Sequence, residues 1–321
     1  MPELTMVAVA VAFAALNGAN DGGVLVAAGL KIPSIRPAAA LAALAVALAA
    51  VPAVLGTAVA STLTDRLVSL QDQRGRVVLL AAIVGAVVVA ALLARRGLPT
   101  SLTLAVVGGF VGAGLGGRLP VSWGTVGFVM AMGMAAPLAG AAGALAVSRA
   151  WSRLPPTAGA GRLIRNTHRV AFVLLCLAYG FNDGQKVLAV MAVTLGITAH
   201  AVATNAFLMV GLAAVFAWGA LLGLPRYANG SGLAMLPVRP LHAVTAELSS
   251  ALAVIGSAAV GAPVSMTQSM MGALVGSGMN EGRRRVRWQQ AARVAAAWLF
   301  TLPLAVAAAA ATAAGATAIL T

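Results

Sequence analysis

Apolar runs of membrane-crossing length recur along nearly the whole chain, and no other feature limits its fold as much. A helix needs about 20 mainly apolar residues to cross the ~30 Å hydrocarbon core of a bilayer. Ten segments meet or approach that length: 4–30, 37–63, 77–97, 98–117, 121–149, 169–197, 200–224, 241–261, 262–280 and 288–318. Only 9% of residues are charged, against about 25% in an ordinary soluble domain, so the chain has too little polar surface to face water. The expected fold is an all-α polytopic membrane protein. Segments 98–117 and 262–280 are short and glycine-rich, and are expected either to span fully or to re-enter as hairpins.

The formal net charge of +14 does not mark a nucleic-acid binder, because the basic residues sit in short loops between apolar runs. In a membrane protein that pattern reports orientation, since Lys and Arg are retained on the cytoplasmic side. With the N-terminus outside and all ten segments crossing, fifteen basic residues fall in inside loops. Four (Arg66, Arg74, Arg76 and Arg118) fall outside, and Lys186 and Arg293 lie within segments. Both termini are therefore expected outside the cytoplasmic membrane, with anionic lipid headgroups as a secondary partner. The N-terminal Met1-Pro2-Glu3 lacks a basic leader region, so the first apolar run is expected to stay in the mature protein. Cys176, the single cysteine, reads as a small buried hydrophobe. Abundant small residues make a homodimer conceivable without requiring it.

The chain repeats itself. Asn20-Asp21-Gly22 returns as Asn182-Asp183-Gly184 after 162 residues. Pro99-Thr100-Ser101-Leu102-Thr103 returns as Pro263-Val264-Ser265-Met266-Thr267 after 164, and Gly108 returns as Gly272 at the same offset. Pro137 is echoed by Pro303, 166 residues on. The expected division is a first membrane repeat over 1–149, a basic cytoplasmic linker over 150–168 carrying Pro155-Pro156, and a second membrane repeat over 169–321. Five segments per half place the second half upside down relative to the first. Inverted repeats of this kind build secondary transporters, with the substrate near the midplane at the repeat interface.

Glu3, Asp65, Asp72 and Glu281 fall in loops or at the terminus, where solvation suffices. Asp21, Asp183 and Glu247 fall inside apolar segments, where a carboxylate needs a partner or an ion. Asn20, Asp21, Asn182 and Asp183 offer hard oxygens suited to Na+, and either carboxylate could instead carry a proton. The alternative is a polar cluster bridging helices. The flanking glycines permit local unwinding, which frees carbonyls for cations and amides for anions. Ser101, Thr103, Ser265 and Thr267, at two helix starts after proline, can converge hydroxyls and free amides on an oxyanion; plain helix capping explains each motif singly. Lys186, three residues beyond Asp183, can neutralise it or contact an anion. Gln185 and Gln268 are further possible donors. Glu247 reads as a second cation ligand or a buried charge held by neighbouring hydroxyls. His168 falls in the linker, His200 in a loop and His242 at a segment edge, none at metal-ligand spacing. No nucleophile–base pair and no phosphate-binding Gly-Lys-Ser/Thr motif occurs, so neither enzymatic activity nor ATP hydrolysis is expected.

These motifs together resemble those of the inorganic phosphate transporter (PiT) family. Gly18-Ala19-Asn20-Asp21 resembles its first signature and Gly180-Phe181-Asn182-Asp183-Gly184-Gln185-Lys186 the second copy. Gly261-Ala262-Pro263-Val264-Ser265-Met266-Thr267-Gln268 resembles its Gly-x-Pro-Val-Ser-Thr-Thr-His motif, and Pro99 to Thr103 the first copy. The resemblance covers nearly the whole chain, including Val286-Arg287-Trp288 and the run from Trp298 to Pro303. It implies a phosphate symporter driven by Na+ or H+, without other cofactors, working by alternating access. The phosphate and cation sites would then include Asn20, Asp21, Ser101, Thr103, Asn182, Asp183, Ser265 and Thr267. The chain departs from the pattern where an Asn of the first signature is Val24, and where the motif His is Leu104 or Gln268. Sulfate permeases share the family, so sulfate is the rival substrate; a passive anion channel is the rival mechanism.

Overall fold

The computed structural model describes residues 2–68, 73–95, 100–153, 155, 159–228 and 239–320. Asp72, Pro99 and Pro156 lie outside the described residues. The first half contains α1 (Pro2–Asn17), α2 (Gly23–Gly29), α3 (Pro37–Leu55), α4 (Ala58–Ser61), α5 (Gln73–Arg95), α6 (Leu102–Gly117) and α7 (Trp123–Ser152). The second contains α8 (Ala160–Phe181), α9 (Asp183–Leu195), α10 (Ala199–Thr204), α11 (Ala206–Ala228), α12 (Pro240–Ala259), α13 (Met266–Met279) and α14 (Trp288–Leu320). A π-helical turn over Gly18–Gly22 joins α1 to α2.

Of the ten expected segments, most of the longer ones form membrane-length helices and the two short ones do not. Among the described residues, seven stretches are long and apolar enough to cross a bilayer, including Leu4–Gly29, Trp123–Ser152 and Trp288–Ile319. The 16-residue α6 and the 14-residue α13 are only about 24 Å and 21 Å long at 1.5 Å per residue, short of a ~30 Å core. The segment expected over 169–197 is interrupted at Asn182, with φ −121° and ψ −73°. Within the expected linker, residues 160–168 are helical in α8 and His168 is fully buried. His200 likewise lies in α10, not a loop.

Helices of the two halves pack on one another reciprocally. α5 and α6 pack on α14, while α12 and α13 pack on α7; α1 and α2 pack on α11, while α8 packs on α3. The repeated residues mark these seams. A methyl group at Gly272 in α13 would land on the Pro137 carbonyl of α7. At the equivalent seam, one at Gly108 in α6 would press on Ala305 Cβ and the Leu302 carbonyl of α14, next to Pro303. Such close backbone approach is how small residues hold helices together in lipid, where no hydrophobic drive operates between helices. Gly272→Val is therefore expected to lower the melting temperature in detergent more than Gly108→Val, because the added carbon would lie closer to a backbone carbonyl at Gly272 than to its nearest neighbour at Gly108, the Ala305 Cβ at 2.8 Å. Equal melting temperatures for the two variants would contradict this seam.

Large apolar side chains face outward, as a lipid solvent demands: Phe207 is 87% exposed, and Leu4, Val54 and Leu299 are also exposed. Asn17, Asp21, Asn182, Asp183, Gln185 and Lys186 are buried inside the bundle.

Candidate functional site

Both Asn-Asp pairs sit where a helix loses regularity. Asp21 lies in the π-helical turn, and Asp183 directly follows the break at Asn182. π-Turns are rare and concentrate at functional sites. Gly18 allows the first turn to press on α11, where a methyl would strike the Phe216 carbonyl. Both carboxylates are buried, and Asp21 is within Coulombic reach of Asp183 and Lys186. Asn20 Nδ2 donates to Asp21 Oδ1 at 2.9 Å. Among the described residues no Lys, Arg or His forms an ion pair with Asp21.

Asp183 is held differently. Lys186 Nζ donates to Asp183 Oδ1 at 2.5 Å, to Thr103 Oγ1 at 2.5 Å and to the Val264 carbonyl at 2.7 Å. Thr103 Oγ1 in turn donates to the same carbonyl at 3.2 Å. Asp183 also faces the backbone amide of Met266, the first residue of α13. One lysine thus ties the second Asn-Asp pair to both helix starts, α6 from one half and α13 from the other. Of the two partners open to Lys186 in the sequence, the structure shows the carboxylate.

The helix starts form as their sequences suggest. Ser101 Oγ accepts from Leu104 N and Ser265 Oγ from Gln268 N, both at 3.3 Å, so each serine caps its helix. Ser265 and Thr267 share a hydroxyl hydrogen bond at 2.9 Å, and Gln268 is buried beside them. The chain enters α13 through a non-helical stretch over 262–265, after Gly261 at φ +73°, a conformation that favours glycine. Asn182 braces that stretch: its Nδ2 donates to the Ala262 carbonyl at 3.0 Å and its Oδ1 accepts from Val264 N at 3.2 Å.

Three buried polar atoms near the carboxylates have no hydrogen-bond partner of ordinary geometry: Asn17 Nδ2, Tyr179 Oη and Asp183 Oδ2. Polar atoms left so in an apolar interior are costly and call for a further polar partner. The Tyr179 hydroxyl faces Asn17, Asp21 and Asp183, and its ring packs on Phe216 with centroids 5.4 Å apart. Sequence reasoning missed Asn17 and Tyr179, although a signal existed. Each lies four residues before its aspartate, hence on the same helical face, and the two are related by the same 162-residue offset.

Two expected residues are engaged elsewhere. Gln185 Oε1 accepts from Val59 N at 2.9 Å and Ala60 N at 3.0 Å. Its Nε2 donates to the carbonyls of Gly56 at 3.0 Å and Phe181 at 2.7 Å, so this side chain braces the α3–α4 break. Glu247 is paired not with neighbouring hydroxyls but with His168, whose Nε2 lies 3.3 Å from Oε1. His168 Nδ1 is 2.5 Å from Ser34 Oγ. Ser250, beside Glu247 in sequence, instead bonds the Ala246 and Glu247 carbonyls. Glu281, expected to be solvated, is held by Arg239, His242 and Arg285.

The chain is similar to known proteins along nearly its whole length. The family model described as "Phosphate transporter family" matches residues 17–175 and again 155–309, so the motif-bearing unit occurs twice. A "Probable low-affinity inorganic phosphate transporter" of Mycobacterium tuberculosis is 34% identical, over 94% of this chain and 74% of the relative. A protein of the same description from Bacillus subtilis is 26% identical, over 94% and 93%. A solved structure described as "The sodium-dependent phosphate transporter" superposes with a TM-score of 0.78, covering 100% of this chain and 99% of that one. Its 19% identity makes this a likeness of fold. With this match in sequence, in duplication and in fold, the chain belongs to the phosphate transporter family, a family of membrane carriers rather than enzymes.

Proposed function

We propose that this protein is a secondary transporter that carries inorganic phosphate in symport with Na+ or H+. The observation that carries the reading is that Lys186 ties Asp183 to two repeat-related helix starts, one from each half, with the repeat-related Asp21 within Coulombic reach of that pair. The N-termini of α6 and α13 each present roughly +0.5 of an elementary charge, suited to a tetrahedral anion. Ser101, Thr103, Ser265, Thr267 and Gln268 are the proposed phosphate ligands from the helix starts. Asn17 and Tyr179 are added from the orphaned atoms. Asp21, with Asn20, is the proposed cation site.

The relatives' descriptions support phosphate as the substrate, and one relative, from Xenopus tropicalis, is described as a "Sodium-dependent phosphate transporter 2". The reciprocal packing of the halves supports an inverted-repeat arrangement in which one bundle rocks against the other. The excess of basic residues in alternate loops supports placing both termini outside the cytoplasmic membrane.

Uptake of radiolabelled phosphate into proteoliposomes, with Na+ and pH gradients imposed separately, tests the reading. Accumulation against the phosphate gradient, driven by one of these and resistant to excess sulfate, is expected. Flux that ignores both gradients would mean a channel, and block by sulfate would transfer the site to that oxyanion.

A further inference from the structure

The two halves differ at one position inside the site. The 162-residue offset that relates Asp21 to Asp183 relates Val24 to Lys186. Lys186 is only 2% exposed, and its ammonium meets a carboxylate, a hydroxyl and a backbone carbonyl. An ammonium has three N–H donors, and here each has an acceptor. Those acceptors are all hard oxygens, the donor type that a hard metal cation selects. In the first half no basic side chain among the described residues pairs with Asp21, and the residue facing one turn on is an apolar valine.

We propose that Lys186 is a resident cation. Its ammonium holds in the second half the place that an external cation takes beside Asp21 in the first, so the cycle takes up one external cation per phosphate. The inference rests on the reading of Asp21 as the ion-binding carboxylate. Charge balance is consistent with it. Two ionised aspartates and one ammonium leave one negative charge, which a single monovalent cation neutralises. The charge of dihydrogen phosphate is then offset by two helix N-termini at roughly +0.5 each. Without Lys186 the same balance requires a second external cation.

The test is the cation-to-phosphate ratio, read from the reversal condition of phosphate flux in proteoliposomes with Na+ and proton gradients varied independently. The wild-type chain is expected to give a ratio of one against dihydrogen phosphate. Lys186→Met keeps an unbranched side chain one atom shorter and removes the charge. Its uptake is expected to fall at least about tenfold at low cation concentration, to recover as Na+ or acidity rises, and to show a ratio of two. A wild-type ratio of two overturns the proposal, as does a ratio of one in transporting Lys186→Met. An inserted Lys186→Met that stays inactive at every cation concentration also overturns it, because a merely structural ion pair would behave so. The wild-type ratio decides even where that variant fails to insert. In that case Asp183→Asn/Lys186→Met, which removes both charges, is expected to transport slowly with the ratio still one. Absence of gradient-driven phosphate uptake by the wild-type chain would instead remove the symport reading beneath the proposal.

Discussion

Asp21→Asn is expected to lower gradient-driven phosphate uptake by about 100-fold, the upper range of coupling between two ligands, while the protein still inserts. The substitution keeps the side chain's shape. Asn20 Nδ2 can still donate to an oxygen at position 21, as it does now at 2.9 Å. What disappears is a buried negative charge that no basic residue among those described pairs with. An unpaired charge in the bundle interior is costly, so a purely structural role would make its removal neutral or stabilising for both fold and transport. An ion-binding role predicts a split result: the melting temperature stays level or rises, while coupling is lost. The measurement is uptake at matched protein density beside thermal unfolding in detergent. Uptake above half of the wild-type rate would sink the assignment of this carboxylate.

The same residues show how much the sequence disclosed. Helical class, the two halves and the four site motifs were legible because each has a local signature: apolar length, a fixed repeat offset, or a proline before Ser-x-Thr. Partnerships were not. Nothing in spacing alone separates Gln185, which braces the α3–α4 break, from Gln268, which sits at the α13 start. Both are glutamines beside a site motif, and only tertiary packing sends one to Val59 and Ala60. Glu247 likewise found its partner 79 positions away in His168, which the basic composition around 150–168 had disguised as linker. Segments 98–117 and 262–280 were legible as short, but how the backbone leading into their helices is held was not. Hydropathy counts a non-helical stretch such as 262–265 toward a span, yet backbone that is not helical there must bond elsewhere. It does so through Asn182 and Lys186. Irregular backbone at such depth is tolerated only where protein or a cavity satisfies it, so the departure from a plain span itself points to the site.

Gln185→Leu should reveal a brace rather than a ligand, and its effect on stability should be the largest of any single substitution considered. α3 ends at Leu55, Gly56 turns at φ +91°, and α4 begins at Ala58. The first amides of a new helix have no partner within it. Gln185 supplies one from another segment, accepting from Val59 N and Ala60 N while donating to the Gly56 carbonyl. Leucine fills similar space and offers no polar atom, so it leaves these three backbone groups unpaired inside the bundle. Each costs about 1–3 kcal/mol, and the sum is a large part of the 5–15 kcal/mol that typically holds a protein folded. Loss of most folded protein from detergent extracts is expected, with phosphate affinity of the remaining folded fraction within a few-fold of wild type. Gln185→Glu, which keeps the acceptor but loses the donor to Gly56, should fall between. A Gln185→Leu protein with unchanged melting temperature and lost phosphate binding would return this side chain to the substrate, and the α3–α4 break would then need another support.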